Sequence, residues 1–573
     1  MGSTVLDSDS AVSLTVVDNS TDEENPGELR LMIDSGVTFT RTDSLAISGN
    51  LSLVKDGSGT FVWGGGTLAA TIPVSVMDGV FRVGANTSNL FGASGKVTVM
   101  EPGQFDINTA QQYGPVRART FYIEGDGPDG SGAIVNSAAN TPWGYHLNKI
   151  VLIGNATIGG IGSIEIRDSG NGIDCGGYEL TVKNAGRLLV EAGTYLTDAS
   201  DIVVDGGRLQ VCNSCTLGAD RIVLQNGGTF MNFMSSDTKD YNVPFVVRAG
   251  SETSAITNTI TTDKNYFTMN KPITVESGAV LSLPKGGPWY AGFTNKTDAT
   301  IVVSGGEVCL STGSILKNDG VLDHIGGKLY VGHRDDDIGA CTVENNGLIR
   351  SAGGEFVFKT QSSMIGNGTL ELAGGSPQVL GDLSGFRGTV VISNGVAVTF
   401  ADMNCGGTVA VYENSTLTVD ATSESATRVA NMTLADGSTL NIANYNGATP
   451  IEVAGSTTLP SDGQVNLKLN DGAFGEGIYA ICRMNGVTAA DGEKFAPLTS
   501  TDDLKVGWSV EEDYTLVLTV GAIDGNTWTG RAGDGDLSNP ANWYGGAVPA
   551  SGTVFSLQKA FSARGYTRGW RRE

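Results

Sequence analysis

The sequence predicts an all-β protein of the β-solenoid class, in which short parallel strands stack turn upon turn. A phrase of two glycines followed by alternating apolar residues recurs along the chain; it begins at Gly176, Gly206, Gly227, Gly305, Gly326, Gly353 and Gly406. Glycine permits the positive φ of a tight corner, and alternation gives a strand one inward face. Recurrence every roughly 20 to 30 residues is typical of units that bury a core only by stacking.

Composition supports this prediction and excludes two alternatives. Glycine makes up 81 of 573 residues, about twice the usual share of roughly 7%. The glycines follow no Gly-X-Y period, and 40% of the residues are hydrophobic, so neither collagen nor a disordered polymer fits. Strands this frequent also build sandwiches and barrels, but the length, the 7% aromatic content and the Gly-Gly register favour parallel stacking.

The solenoid pattern does not extend evenly over the chain. From about Pro450 the strands become longer and fewer glycines flank them, which indicates a small antiparallel cap closing the stack. The predicted organisation is an N-terminal β segment at 1–45, a parallel β-helix at 46–450 with loop excursions near 125–145 and 235–272, a C-terminal β cap at 451–521, a Trp/Gly-rich linker to a following segment at 522–557, and an atypical basic tail at 558–573.

Charge and hydropathy exclude several classes of partner. The chain carries 36 basic and 61 acidic residues, a net charge of −25, which repels nucleic-acid phosphates and anionic lipid heads. No apolar run approaches the roughly 18 to 20 residues of a spanning helix, so we expect no membrane insertion by this segment. The start, Met1–Asp7, has neither the basic nor the apolar stretch of a signal peptide.

Two stretches resemble a known family. The run Asn50–Gly64, with Leu53, Lys55, Gly57 and Gly59, resembles the autotransporter-associated β-strand repeat, and 78–83 is similar to its later half. The segment 528–543 is similar to the Trp-x-Gly…Asn-Trp phrase of such proteins. The resemblance implies a right-handed parallel β-helix in a secreted or surface-displayed bacterial passenger associated with the outer membrane. Because leader and translocating barrel are missing from the sequence, we expect it to be part of a longer surface protein.

Acidic loops are the first candidates for chemistry. The cluster Gly332–Asp337 contains Asp335, Asp336 and Asp337, and a second loop contains Asp534 and Asp536. Carboxylate oxygens at such spacing are weak candidates for calcium ligands, although a solvated turn is the simpler interpretation. A β-helix polysaccharide hydrolase needs two or three carboxylates across a groove, and three in one loop cannot all face one substrate. We therefore predict no catalytic residue and no cofactor other than this calcium alternative.

The cysteines and a group of aromatic residues are further candidates for a functional role. Seven cysteines are spread along the chain, and only Cys212 and Cys215 are close in sequence, so we predict structural thiols or one local disulfide. Trp143, Tyr145, Trp289, Tyr290 and Phe293 lie in predicted loops, where aromatic rings either pack on the solenoid or stack on sugars.

The resulting functional prediction is a non-enzymatic passenger with adhesin-like properties, serving as a stalk or an extended binding surface for glycans or surface proteins. The alternatives are a carbohydrate-active β-helix enzyme, either a polysaccharide lyase or a hydrolase, and a non-catalytic glycan-binding module. A groove of convergent carboxylates with an arginine or lysine would favour the enzyme, and an aromatic sugar platform would favour the binding module.

Overall fold

The computed structural model confirms the predicted fold class. The chain forms an all-β parallel β-solenoid of about 16 turns, with 59% strand and 2% helix; the right-handed sense stays a prediction. The structure describes residues 3–6, 12–17, 27–41, 50–64, 68, 72–84, 95–108, 119–139, 145–167, 169–212, 214–233, 239–250, 256–263, 267–285, 288–332, 341–401, 404–421, 426–500, 504–521, 527–528, 536–543, 546–548, 550 and 556–557. Two compact units divide the chain, Met1–Ser314 and Ile315–Glu573.

The first unit consists of short strands. In chain order they are Ser3–Leu6, Val12–Val17, Gly27–Ile33, Thr38–Arg41, Leu51–Asp56, Thr60–Trp63, Val74–Val76, Val80–Val83, Lys96–Val99, Gln104–Asp106, Thr120–Gly125, Ile134–Asn136, Tyr145–Leu147, Lys149–Gly160, Ser163–Ile166, Gly172–Asp174, Leu180–Val182, Arg187–Val190, Tyr195–Asp205, Arg208–Cys212, Thr216–Gln225, Thr229–Phe233, Lys239–Tyr241, Phe245–Val247, Thr257–Thr262, Phe267–Met269, Ile273–Val275, Val280–Leu283, Pro288–Asn295 and Thr300–Val303. Strand Glu307–Asn318 contains the division between the units.

Inward columns of apolar side chains hold the first unit together. One column passes through consecutive register partners in parallel strands: Phe61, Phe81, Phe105, Ile134, Ile158, Val182, Val204, Leu224, Val247 and Val275. None of these side chains is more than 2% exposed. Ile134 and Val247 lie within the stretches predicted as excursions, so the stack continues through both. Burial of such a column is the main stabilising contribution, because each aliphatic or aromatic side chain contributes about 1.5–3 kcal/mol.

The second unit repeats this arrangement. Its strands within the unit are Val321–His324, Lys328–Val331, Thr342–Asn345, Leu348–Ser351, Glu355–Phe358, Ser363–Ile365, Thr369–Leu372, Ser376–Val379, Thr389–Ile392, Ala397–Ala401, Asn404–Val411, Thr416–Asp420, Thr427–Leu434, Thr439–Ala443, Ile451–Val453, Thr457–Thr458, Val465–Leu469, Gly477–Met484, Phe495–Pro497, Lys505–Val510, Thr515–Gly521, Thr527–Trp528 and Ser556–Leu557. A one-turn helix lies at Ala489–Gly492 and a 3-10 turn at Pro540–Asn542.

The second unit has its own inward columns, and its strand pairing changes near its end. One column comprises Leu322, Ile349, Leu370, Val390, Val409 and Met432, all at most 4% exposed. Strand Gly477–Met484 pairs in parallel with Ile451–Val453 and antiparallel with Thr515–Gly521, which is itself antiparallel to Lys505–Val510. Antiparallel pairing also joins strands Ser3–Leu6, Val12–Val17 and Gly27–Ile33 at the start of the first unit.

The corner at Gly227-Gly228 shows what each glycine of a pair can contribute. Gly227 has φ +85°, a conformation that side chains other than that of glycine rarely adopt. A Cβ on its neighbour Gly228 would lie 2.1 Å from the carbonyl oxygen of Val204, which belongs to the preceding turn. One glycine thus makes the turn, and the other allows the backbones of adjacent turns to approach.

Buried asparagines satisfy backbone groups at other corners. Asn318 donates from Nδ2 to Oδ1 of Asn345 at 2.8 Å, and Asn345 donates in turn to the carbonyl oxygen of Thr369 at 2.9 Å. Both asparagines are fully buried. The two hydrogen bonds link three successive turns. They also satisfy buried polar groups, each of which would cost about 1–3 kcal/mol without a partner.

Candidate functional site

The lysine of the family-like run occupies a cage of carbonyl oxygens. Lys55 is fully buried, and its Nζ donates hydrogen bonds to the carbonyl oxygens of Asp56 at 3.0 Å, Gly57 at 2.6 Å and Asp78 at 2.9 Å. Burial lowers the pKa of the Lys55 ammonium to about 8, against the opposing effect of the Asp78 and Asp56 carboxylates. The cage joins a corner of one turn to the corner 23 residues later.

The glycines of the same run allow these corners to stack closely. A Cβ on Gly59 would lie 2.3 Å from the carbonyl oxygen of Asp34, and one on Gly79 would lie 2.4 Å from the carbonyl oxygen of Gly59. The carboxylates of Asp56 and Asp78 accept hydrogen bonds from the amides of Gly57 and Gly79 at 2.8 and 2.7 Å. Lysine, aspartate and glycine therefore each have a structural role, and the cage has no opening for a substrate.

A buried carboxylate lies on the outward face of strand Ser163–Ile166. Its neighbours Ile164 and Ile166 face inward, so the alternation directs Glu165 outward, yet Glu165 is 0% exposed. Its Oε1 lies 2.5 Å from Nη2 of Arg187, and its Oε2 lies 3.2 Å from Nε of Arg167. Arg167 also contacts Glu191 at 2.5 Å, which completes a network of two carboxylates and two guanidiniums.

The network of Glu165, Arg167, Glu191 and Arg187 combines two carboxylates with two arginines, as the enzyme alternative requires. Oε1 of Glu165 accepts a hydrogen bond from Arg187, and Oε2 forms an ion pair with Arg167, so the carboxylate lies between two cations. A general acid or base must contact the substrate, and here the Glu165 carboxylate contacts two guanidinium groups. The arrangement fits an ion-pair network that supports the flank of the solenoid.

No protein-family model matches the chain, and no curated protein matches it. The evidence for function therefore comes from the solenoid itself and from the side chains described here.

The predicted calcium ligands are mostly outside the described residues. Asp335, Asp336, Asp337 and Asp534 belong to the part of the chain that the structure does not describe. Asp536 is described, and its Oδ1 accepts from the amide and the hydroxyl of Ser538 at 2.8 and 2.6 Å, as in an Asx turn. Among the residues described, no three His, Cys, Asp or Glu side chains are placed to hold a metal ion.

The structure corrects the placement of one predicted aromatic pair. Trp289 and Tyr290 were expected in a loop, but they lie in strand Pro288–Asn295, where they pair in parallel with Thr268 and Met269. Phe293, farther along the same strand, is buried and is the parallel register partner of Ile273. Tyr145 likewise begins strand Tyr145–Leu147, and Trp143 lies outside the described residues.

The cysteines are structural thiols. All seven are free and buried, including Cys212 and Cys215. Burial raises the pKa of Cys212 to about 11 and those of Cys175, Cys341 and Cys482 to about 12. A thiol with so high a pKa is protonated at neutral pH and is a poor nucleophile or metal ligand.

Near the end of the second unit lies a shallow pocket that the sequence did not predict. It has a volume of about 580 Å³, and its lining includes Gln464, Glu493, Phe495, Pro497, Val506 and Trp508. Trp508 is half-buried and packs on Gly492, where a Cβ would lie 2.3 Å from the indole Cγ. The pocket combines strands of the parallel stack with one of the antiparallel strands, and no local sequence signal brings these residues together.

No helix among the residues described is long and apolar enough to cross a membrane.

Proposed function

We propose that this chain is the structural passenger of a bacterial surface protein, secreted or displayed at the outer membrane. In this role the solenoid serves as a stalk or as an extended binding surface for glycans or for proteins of other cells. The Lys55 cage is the single observation that carries the proposal. It gives a physical reason for the Leu-x-Lys-x-Gly-x-Gly run on which the resemblance to autotransporter-associated repeats is based.

The proposal assigns no reaction to the chain. The carboxylates of Glu165 and Glu191 form ion pairs with Arg167 and Arg187. A substrate would have to displace both arginines before it could reach the buried Glu165 carboxylate. This supports a role based on shape and adhesion.

Localisation in the source organism tests the proposal directly. Antibodies raised against the purified chain are applied to intact cells, with and without external protease, and to the soluble fraction of broken cells. The proposal predicts labelling of intact cells that protease removes, or antigen in the culture medium. Antigen found only in the cytosolic fraction would contradict it.

A second experiment connects export to the cage. The chain is expressed between a secretion leader and an outer-membrane translocating barrel, as wild type, as Lys55→Met and as Lys271→Met, the last at an exposed lysine of the same unit. Loss of the cage is expected to lower the amount of protease-resistant passenger at the cell surface, because the first turns fold less stably. If Lys55→Met and Lys271→Met give equal amounts of protease-resistant passenger at the cell surface, the cage no longer supports the proposal.

A further inference from the structure

The pocket near the end of the second unit has the properties of a ligand site. Its volume of about 580 Å³ lies within the range of about 300–1,000 Å³ that small-molecule sites occupy. Two aromatic side chains contribute to it: Phe495 is buried, and its ring centroid lies 5.9 Å from that of Trp508, with the planes tilted by 42°. Because the indole packs against Gly492, the platform is fixed in one orientation.

Polar groups with unused hydrogen-bonding capacity surround this platform. Within the described part of the chain, neither the indole N–H of Trp508 nor the carboxylate of Glu493 forms a hydrogen bond or ion pair. Gln464 donates from Nε2 to the carbonyl oxygen of Glu493 at 2.8 Å, which fixes its amide and leaves Oε1 as an acceptor. The pocket therefore offers one donor and two acceptors beside an aromatic surface.

This combination matches a sugar ring. The apolar face of a pyranose stacks on an indole, while its hydroxyl groups both donate and accept hydrogen bonds around the edge. A proline-rich peptide also stacks on tryptophan, but its free polar groups are carbonyl acceptors, which would meet the acceptors of Glu493 and Gln464 without a donor between them. The chemistry of the lining thus favours hydroxyl groups over peptide carbonyls.

The negative charge beside the pocket favours neutral sugars over acidic ones. Glu493 has no cationic partner among the residues described, and Asp436 lies beside the pocket, where its Oδ1 accepts a hydrogen bond from the backbone N–H of Gln464 at 2.8 Å. The whole chain has a net charge of −25. Uronic acids and sulfated sugars would be repelled by these carboxylates.

We infer that the pocket formed around Trp508, Phe495, Glu493 and Gln464 binds a neutral hexopyranose unit of a glycan. The inference deepens the proposed function, which names glycans as possible partners but neither the sugar nor its site. It depends only on the pocket and not on where the protein is displayed, so its failure leaves the localisation result unaffected.

Titration of the full chain with defined sugars tests the inference. The probes are neutral oligomers of glucose, of galactose, of mannose and of N-acetylglucosamine, each six units long, with hexagalacturonate and hexaproline for comparison. Binding is followed by saturation-transfer NMR and by calorimetry up to about 10 mM, because one stacked ring and a few hydrogen bonds give a Kd of about 1 mM. At least one neutral oligomer should saturate, and hexagalacturonate should not.

Variants locate the site. Trp508→Ala should weaken binding at least tenfold, and Glu493→Gln, which keeps the shape of the side chain at an exposed position, should weaken it about three- to fivefold. Tyr514→Ala is the matched control, since Tyr514 is an exposed aromatic residue of the same antiparallel region that does not line the pocket. Its affinity should equal that of the wild type. Circular dichroism and thermal melting check that each variant is folded.

Several results would overturn the inference. They are the absence of saturable binding to any neutral oligomer, binding that Glu493→Gln and Trp508→Ala leave unchanged, a preference for hexagalacturonate, and Trp508-dependent binding of hexaproline without sugar binding. If Trp508→Ala does not fold, Glu493→Gln decides the outcome by itself.

Discussion

Removal of the Lys55 ammonium should loosen the first turns of the solenoid by about 3 kcal/mol. Three hydrogen bonds from a charged group are worth about 1.5–3 kcal/mol each, or about 4.5–9 kcal/mol together. Against this stands the cost of burial: the pKa falls from 10.5 to about 8, equivalent to about 3 kcal/mol. Lys55→Met loses the bonds and recovers the burial cost, which leaves a loss between about 1.5 and 6 kcal/mol.

Hydrogen–deuterium exchange is the appropriate assay, because a solenoid opens locally and a single unfolding free energy does not describe it. Peptides covering 51–63 and 74–83 should exchange about a hundredfold faster in Lys55→Met than in the wild type, since a loss of about 3 kcal/mol is slightly over two decades. Lys271→Met, at an exposed lysine, should exchange as the wild type does. Exchange of these peptides within twofold of wild type in Lys55→Met would refute the reasoning.

The same lysine predicts a dependence on pH. Because the folded-state pKa is lowered to about 8 from 10.5, the unfolded chain holds between these values a proton that the folded chain has released. Stability then rises with pH across this window. The urea midpoint of the first turns should increase from pH 7.5 to pH 9 more in the wild type than in Lys55→Met. An equal change in both proteins would argue against a depressed pKa.

Three further predictions concern the corners and the thiols. Asn345→Ala should destabilise its unit by about 1–3 kcal/mol, because the buried side chain loses its hydrogen bonds to Asn318 and to the carbonyl oxygen of Thr369; the exposed neighbour Asn346→Ala should cost about 0.5 kcal/mol or less in urea melts, and equal losses would be inconsistent with the asparagine link. Gly228→Ala should cost about 3 kcal/mol, since its Cβ would lie 2.1 Å from a carbonyl oxygen, whereas Gly475→Ala, with no atom within 4 Å, should melt within about 1 °C of wild type. Iodoacetamide at pH 8 should leave Cys482 unmodified in the native protein by mass spectrometry and should modify it in denaturant, because burial raises its pKa to about 12; rapid native labelling would contradict its burial.

The fold class could be predicted from the sequence because its signal is local and repeated. Gly227-Gly228 followed by an alternating strand specifies both a corner and an inward face, and the same phrase recurs at turn-length intervals. The predicted excursions show the limit of this approach. Ile134–Asn136 and Phe245–Val247 are three-residue strands, too short for alternation to be recognised without their partners in neighbouring turns.

The side-chain sites could not be predicted because their parts come from different turns. The sequence indicates Lys55 as part of a motif, but one of its three acceptors belongs to Asp78, and only the stacking register brings them together. Glu165 and Arg187 are 22 residues apart, close to one turn of the solenoid, so a search for opposite charges at that offset could have found them. No sequence pattern indicates the pocket at Trp508, because Gly492 and Phe495, which contact its ring, belong to other elements.

Cross-linking of neighbouring turns tests most directly whether the chain is a parallel solenoid in this register. Thr369 and Thr389 are half-buried partners in adjacent parallel strands, and parallel neighbours lie about 4.8 Å apart, within the range of Cα separations that a disulfide spans. Cysteines at 369 and 389 should form a disulfide on mild oxidation, whereas cysteines at 369 and 391, two residues out of register, should remain reduced. A disulfide in the second pair, or in neither, would contradict the stacked arrangement on which this account depends.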